Sequence, residues 1–195
     1  MLLTKKKSLC VEEESIKREV TDADGECVLR INLKYPKLVC SKKDPLFIFA
    51  RGFYKSLAEA FLKYAEAELA KRAREAKASV VAEFLPYSAL MKYEITQCDE
   101  RFLSVSTDIS VSDGVSAPSV ERKTQVWERQ FGTKCKAEYF IPKKELMGIF
   151  KEKLNKEELK RLDCELFCLR DGEMEFYLRE NGGYRKETVS ILSKK

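Results

Sequence analysis

The chain has no histidine among its 195 residues. That removes the usual general base near neutral pH, the commonest zinc ligand and every Ser–His or Cys–His nucleophile pair. Glycine (8) and proline (5) are sparse. The one glycine pair, Gly182-Gly183, sits in neither a GK[ST] nor a strand–GxGxxG–helix setting, so it is no phosphate cradle. No apolar run reaches the roughly 18 residues of a membrane-spanning helix. Lys5-Lys6-Lys7 occupies the place where a signal peptide carries its apolar stretch. The closest cysteines, Cys164 and Cys168, would lie about 13 Å apart along a strand, too far for one metal ion. The expectation is therefore no catalytic residue, no metal, no cofactor and no membrane segment in this chain.

The seven cysteines (Cys10, Cys27, Cys40, Cys98, Cys135, Cys164, Cys168) are odd in number and scattered. That spacing predicts reduced thiols used as small apolar side chains in a cytoplasmic protein. The alternative is an extracytoplasmic domain whose leader or membrane helix has been removed. Basic and acidic residues are well mixed, 37 against 32, for a net charge of +5. A nucleic-acid binder would gather its basic residues on one face, so nucleic acid is not an expected partner.

Hydrophobic residues make up 44% and charged residues 35%, the profile of a soluble folded domain. Residues 1–8 read as a disordered basic tail. Leu9 to Val20 reads as an irregular or edge strand, and Asp24-Gly25 as a hairpin turn. Leu29, Ile31, Leu33 and Tyr35 then alternate onto one strand face, with Pro36 ending the pairing. Asp44-Pro45 signals a helix start. Phe49, Phe53, Leu57, Ala60, Phe61, Tyr64 and Ala65 form an apolar stripe on a helix of about 30 residues running to Lys77.

From Ala89 to Ile141 apolar and polar residues alternate in four segments. They predict an antiparallel meander with one wet face, its last strand running from Lys134 to Ile141. Pro142 opens a short helix carrying Leu146, Ile149, Phe150 and Leu154. Asn155 caps another, with Glu158 completing the box. Three strands close the chain, turning at Asp171-Gly172 and Asn181-Gly182-Gly183. The fold class is α+β: antiparallel sheet with one long amphipathic helix and two short helices packed on one side. The organisation is a hairpin plus long helix over residues 9–88 and a meander with short helices over residues 89–195, in one compact unit.

Trp127 is expected to fill a core. Candidate binding residues are the loop Ser112, Asp113, Gly114, Val115, Ser116, Ala117 and Pro118, the longest connection inside the meander. The turns Asp99-Glu100 and Asn181–Gly183 are expected beside it, because a rigid sheet commonly carries recognition on its loops.

The segments Leu33-Lys34-Tyr35-Pro36-Lys37-Leu38, Lys92-Tyr93-Glu94-Ile95 and Phe102-Leu103-Ser104-Val105 resemble the extracellular region of RsiV-type anti-sigma factors. So do Trp127 with Phe131-Gly132-Thr133-Lys134, Phe140-Ile141-Pro142, Phe176-Tyr177-Leu178 and Gly182-Gly183-Tyr184. That region joins a small domain, found also in peptidoglycan deacetylases, to the RsiV C-terminal domain. The resemblance spans roughly residues 27–192. It implies an α+β fold, a bacterial origin and a cell-envelope role, since RsiV-type members bind lysozyme. Many members carry a glycine-rich loop with a histidine where this chain has Ser112–Pro118, so the resemblance lends a fold and no lysozyme contact. The function expected is a non-enzymatic binding or sensing module for a protein or cell-wall ligand. The alternative is a hydrolase of cell-wall sugar using two of the carboxylates on Glu12–Glu14, Asp99-Glu100, Glu157-Glu158, Glu173 or Glu175.

Overall fold

A computed structural model describes residues 9–39, 44–79 and 83–191. The expected tail at residues 1–8, Cys40 and the last residues of the closing strand lie outside that range. The fold is α+β, with nine strands in two sheets among the described residues. The first sheet has the order β1(Cys10–Thr21), β2(Cys27–Val39), β3(Tyr87–Cys98), β4(Phe102–Ser112), β5(Ser119–Glu128), β6(Thr133–Lys134). The second contains β7(Leu162–Arg170), β8(Glu173–Glu180) and β9(Gly183–Ser190).

One join departs from the antiparallel expectation: β2 and β3 pair in parallel, Leu29–Leu33 against Tyr87–Met91. A parallel partner needs a long crossover, and the helical segment between these strands supplies it. The β2–β3 ladder stops at Leu33, whereas β2 continues beside β1 through Pro36 to Val39. Pro36 therefore does not end the strand; it lies where β2 has one neighbour, and a missing N–H there need cost no ladder bond.

Asp44 caps α1(Pro45–Phe49), its carboxylate accepting from the Leu46 N–H at 3.0 Å. A short break at Ala50 leads into α2(Arg51–Tyr64), a π-helical turn Ala65–Leu69 and α3(Ala70–Ser79). The buried line is Leu46, Ala50, Tyr54, Ala58, Phe61, Ala65, Leu69 and Ala73. It corrects the expected stripe, since Phe49 and Tyr64 are exposed and Ala60 faces solvent. Aromatic residues drew that stripe toward the wrong azimuth; small alanines let the helix approach the sheet, and Phe53 and Leu57 pack at the flank.

The helix covers one face of the first sheet through Leu29, Ile31, Leu33, Met91, Leu103, Val105 and Trp127. The other face was expected to be wet, but β7 packs on it. Ser104 is fully buried and its hydroxyl accepts from the Leu169 N–H at 2.9 Å and from Thr96 Oγ1 at 2.8 Å. The two sheets thus meet through small polar side chains that satisfy one another. Beyond the second sheet, Leu146 and Phe150 of α4(Lys143–Lys153) and its C-cap Leu154 pack with Phe167, Phe176 and Leu178 as a second core. Asn155 and Glu158 make the expected capping box at α5(Lys156–Arg161). The layers run long helix, sheet, sheet, short helices.

The fourth meander strand is also shorter than expected. Only Thr133 and Lys134 pair with β5, and Ala137–Tyr139 forms a 3-10 turn. Buried Cys135 and Ala137 and half-buried Phe140 hold this segment on the second core.

Candidate functional site

At the end of β4 the last ladder pair, Val111 opposite Ser119, frames the loop 112–118. Asp113 organises it. One carboxylate oxygen accepts from the N–H groups of Val115 (3.0 Å) and Ser116 (2.7 Å), the other from the Ser116 hydroxyl at 2.9 Å. Those bonds, that from the Ser116 N–H foremost, hold the Asp113 carboxyl below its usual range. Gly114 has φ +81°, and a Cβ there would lie 2.7 Å from Leu85 Cβ, so only glycine lets the loop rest on that residue. The result presents Val115 outward, 85% exposed.

A groove of about 340 Å³ reaches the base of the loop, where Val111 and Ser119 line it. Leu57, Ala60, Phe61 and Tyr64 of α2 form one wall, and Ile109, Val111, Ser119, Glu121 and Lys123 of β4 and β5 form the floor. The ladder explains the mixed floor: Ile109 lies opposite Glu121 and Thr107 opposite Lys123, all on the helix-facing side. Glu121 and Lys123 pair at 3.2 Å. The Phe61 and Tyr64 rings stack with centroids 6.3 Å apart. The π-helical turn begins one residue after Tyr64, a helical irregularity often found beside functional surfaces. Thr107 Oγ1 and Gln125 Oε1, both on buried residues, have no protein partner; they sit next to Lys123 in the ladder.

The seven loop residues do not themselves line the groove; the two residues that anchor the loop, Val111 and Ser119, do, and the expected neighbouring turns are not all brought there. Asp99-Glu100 precedes β4 and lies at its opposite end, one full strand length away. The Asn181–Gly183 turn leads into Tyr184, whose hydroxyl accepts from the Arg122 N–H at 2.9 Å on β5. Sequence reading missed the groove. Its wall combines helix residues assigned to core packing with floor residues from two strands, and only the tertiary fold joins them.

The acidic residues considered for hydrolysis are spread over β1, the β3–β4 turn, α5 and β8. Glu12, Glu13 and Glu14 pair with Lys37 and Lys34 on the first hairpin. Glu175 is 4% exposed and is bound by Lys186 (2.7 Å), Arg170 (3.1 Å) and Tyr177 (3.1 Å). Burial pushes its carboxyl up, yet the bonds from Lys186, Tyr177 and Arg170 hold it below the usual range. The groove contains one carboxylate, Glu121. Among the described residues no three His, Cys, Asp or Glu side chains gather as metal ligands. The six described cysteines are free; burial pushes the Cys135 thiol up to about 11. No described helix is long and apolar enough to cross a membrane.

No protein-family model matches the chain, and no curated protein matches it. Solved structures do. A DUF3298 family member from Bacteroides fragilis superposes with a TM-score of 0.60 at 14% identity, over 94% of this chain and 91% of that one. A DUF3298 family protein from Pseudomonas aeruginosa gives 0.54 at 13% identity, over 95% and 91%. At these identities the likeness is one of fold.

Proposed function

We propose that the protein is a non-enzymatic binding module that takes a protein segment in the groove between α2 and β4–β5, with Val115 as part of the contact. The observation that carries this reading is the union of loop and groove. A loop tied by Asp113 exposes the apolar Val115, and the two residues that anchor that loop, Val111 and Ser119, line a largely apolar trough that holds a single charge pair. An exposed apolar surface rimmed by polar groups is the usual mark of macromolecular recognition. The fold shared with the DUF3298 structures and the resemblance to the RsiV-type region support the reading, since that family recognises a protein by its surface. A protein segment suits the mixed lining, with Leu57, Ala60, Ile109 and Val111 to receive apolar side chains and Tyr64, Ser119, Glu121 and Lys123 to meet polar ones.

The competing hydrolase reading needs two facing carboxylates about 5–10 Å apart, and the groove supplies one. The experiment is a binding titration against lysozyme and against soluble cell-wall fragments, with turnover assayed on the fragments. Parent, Val115→Asp and Tyr64→Ala are compared. Saturable binding to protein, weakened at least about tenfold by either substitution with melting unchanged, supports the reading. Turnover of the fragments, or binding that ignores both substitutions, overturns it.

A further inference from the structure

β1 is an edge strand of twelve residues, paired on one side only among the described residues. Alternate N–H and C=O groups along it point away from β2, an open template about 40 Å long. Its charge order is Glu12-Glu13-Glu14-Ser15-Ile16-Lys17-Arg18. Five of the six charged side chains on the strand have partners within the chain. Glu12 and Glu14 face Lys37, Glu13 Lys34, Arg18 Glu66 and Glu19 Arg30. Lys17 has no ion-pair partner among the described residues. It stands instead on a shallow groove of about 370 Å³ with Arg18, Glu19, Arg30, Ile31 and Asn32.

We infer that β1 is the interface for a second copy of this chain, pairing antiparallel with its symmetry mate about Ser15 and joining the two six-stranded sheets into one. The register follows from symmetry and charge. A two-fold axis perpendicular to the sheet keeps both long helices on the same face, so opposed residues must share that face and their numbers must sum to an even value. With Ser15 opposite itself, Glu13 meets Lys17 and Glu12 meets Arg18, each twice, which makes four opposite-charge contacts. With Ile16 at the axis, Glu13 would meet Glu19 instead. Glu12 and Arg18 lie on the helix-facing side, since Arg18 opposes core residue Ile31 and reaches Glu66. Glu13 and Lys17 lie on the other side. Charged residues on an edge commonly keep other chains away. Here their order repels unrelated edges and matches its own reverse, which gives specificity for self.

The test is sedimentation velocity across about 5–500 µM protein at low and high salt, on parent, Lys17→Glu, Glu13→Lys and the double variant. The expected result is a monomer–dimer equilibrium weakened by salt. Each single reversal should lower the association constant about tenfold or more, because two attractive pairs become repulsive, and the double variant should restore it. In a background with the exposed Cys10 and Cys98 replaced by serine, Ser15→Cys should form a covalent dimer on oxidation that neither that background nor Ile16→Cys within it forms. A monomer at every concentration in low salt overturns the inference. So does a dimer that the double variant fails to restore, or one that Ser15→Cys fails to cross-link.

Discussion

The indole N–H of Trp127 donates to the phenolic oxygen of Tyr54 at 2.8 Å, joining β5 to α2 across 73 residues of sequence. Tyr54 is fully buried and Trp127 is 6% exposed. The Phe53 ring meets both edge-on, at 5.3 and 5.7 Å. The bond satisfies two polar tips within an apolar interior, so the helix can dock only where the tryptophan can reach it.

Tyr54→Phe should therefore cost about 1–3 kcal/mol, the penalty for leaving the indole N–H buried without an acceptor. Denaturant titration followed by tryptophan emission checks this. The folded parent should emit in the blue and resist quenching, and the variant should keep that spectrum while its midpoint falls. An unchanged midpoint would mean that the bond contributes nothing.

Ser104→Ala should loosen the junction of the two sheets. Its hydroxyl accepts from the Leu169 N–H and from Thr96, and alanine strands both donors in a buried layer. A loss of about 1–3 kcal/mol is expected, with hydrogen exchange faster at Leu169 than in the β1–β2 hairpin. Equal acceleration in both places would refute a local role.

Gly132 and Gly182 both adopt positive φ, +69° and +82°. A Cβ at Gly132 would lie 2.5 Å from the Pro45 carbonyl oxygen, whereas at Gly182 it meets nothing within 4 Å. Gly182→Ala should cost about 1 kcal/mol from backbone strain alone. Gly132→Ala should cost clearly more, because the turn must lift off α1. Thermal melts of the two variants side by side decide this; equal losses would contradict it.

Acid sensitivity should pass through Glu175. Its carboxyl is held below the ordinary value of 4.5 in the folded state. It therefore adds stability above that value, and the contribution disappears as pH falls through the lower folded value. Glu175→Gln should lower stability at neutral pH and flatten the decline below about pH 4.5, the ordinary carboxyl value from which the loss begins. A variant that declines as steeply as the parent would place the acid-labile group elsewhere.

Much of the fold is legible from local chemistry. Asp44-Pro45, Asn155 with Glu158, and the glycine turns at Gly25, Gly172 and Gly182 each act within a few residues, and each forms as its sequence implies. Position-specific burial was less legible. Whether Phe49 or Ala50 faces the sheet depends on the break at Ala50, and whether Ser104 faces water depends on β7, some 60 residues away. The loop 112–118 was visible as a connection. The groove at its base was not, because Tyr64 and Lys123 become neighbours only when the crossover places α2 over β4 and β5.

The parallel join of β2 to β3 also shapes the order in which the molecule can be assembled as it is made. The β1–β2 hairpin can zip as soon as it is synthesised, and β3 through β5 can zip among themselves. The inner edge of β2 must wait for residues 87–91. At about 5–20 residues per second, the stretch from residue 33 to residue 91 takes about 3–12 s to appear. Throughout that interval a nascent chain displays the apolar row of Leu29, Ile31 and Leu33 with β1 on one side and no β3 on the other. The helix emerges within the same interval, so its early docking on β2 would shield that row from neighbouring chains until β3 arrives.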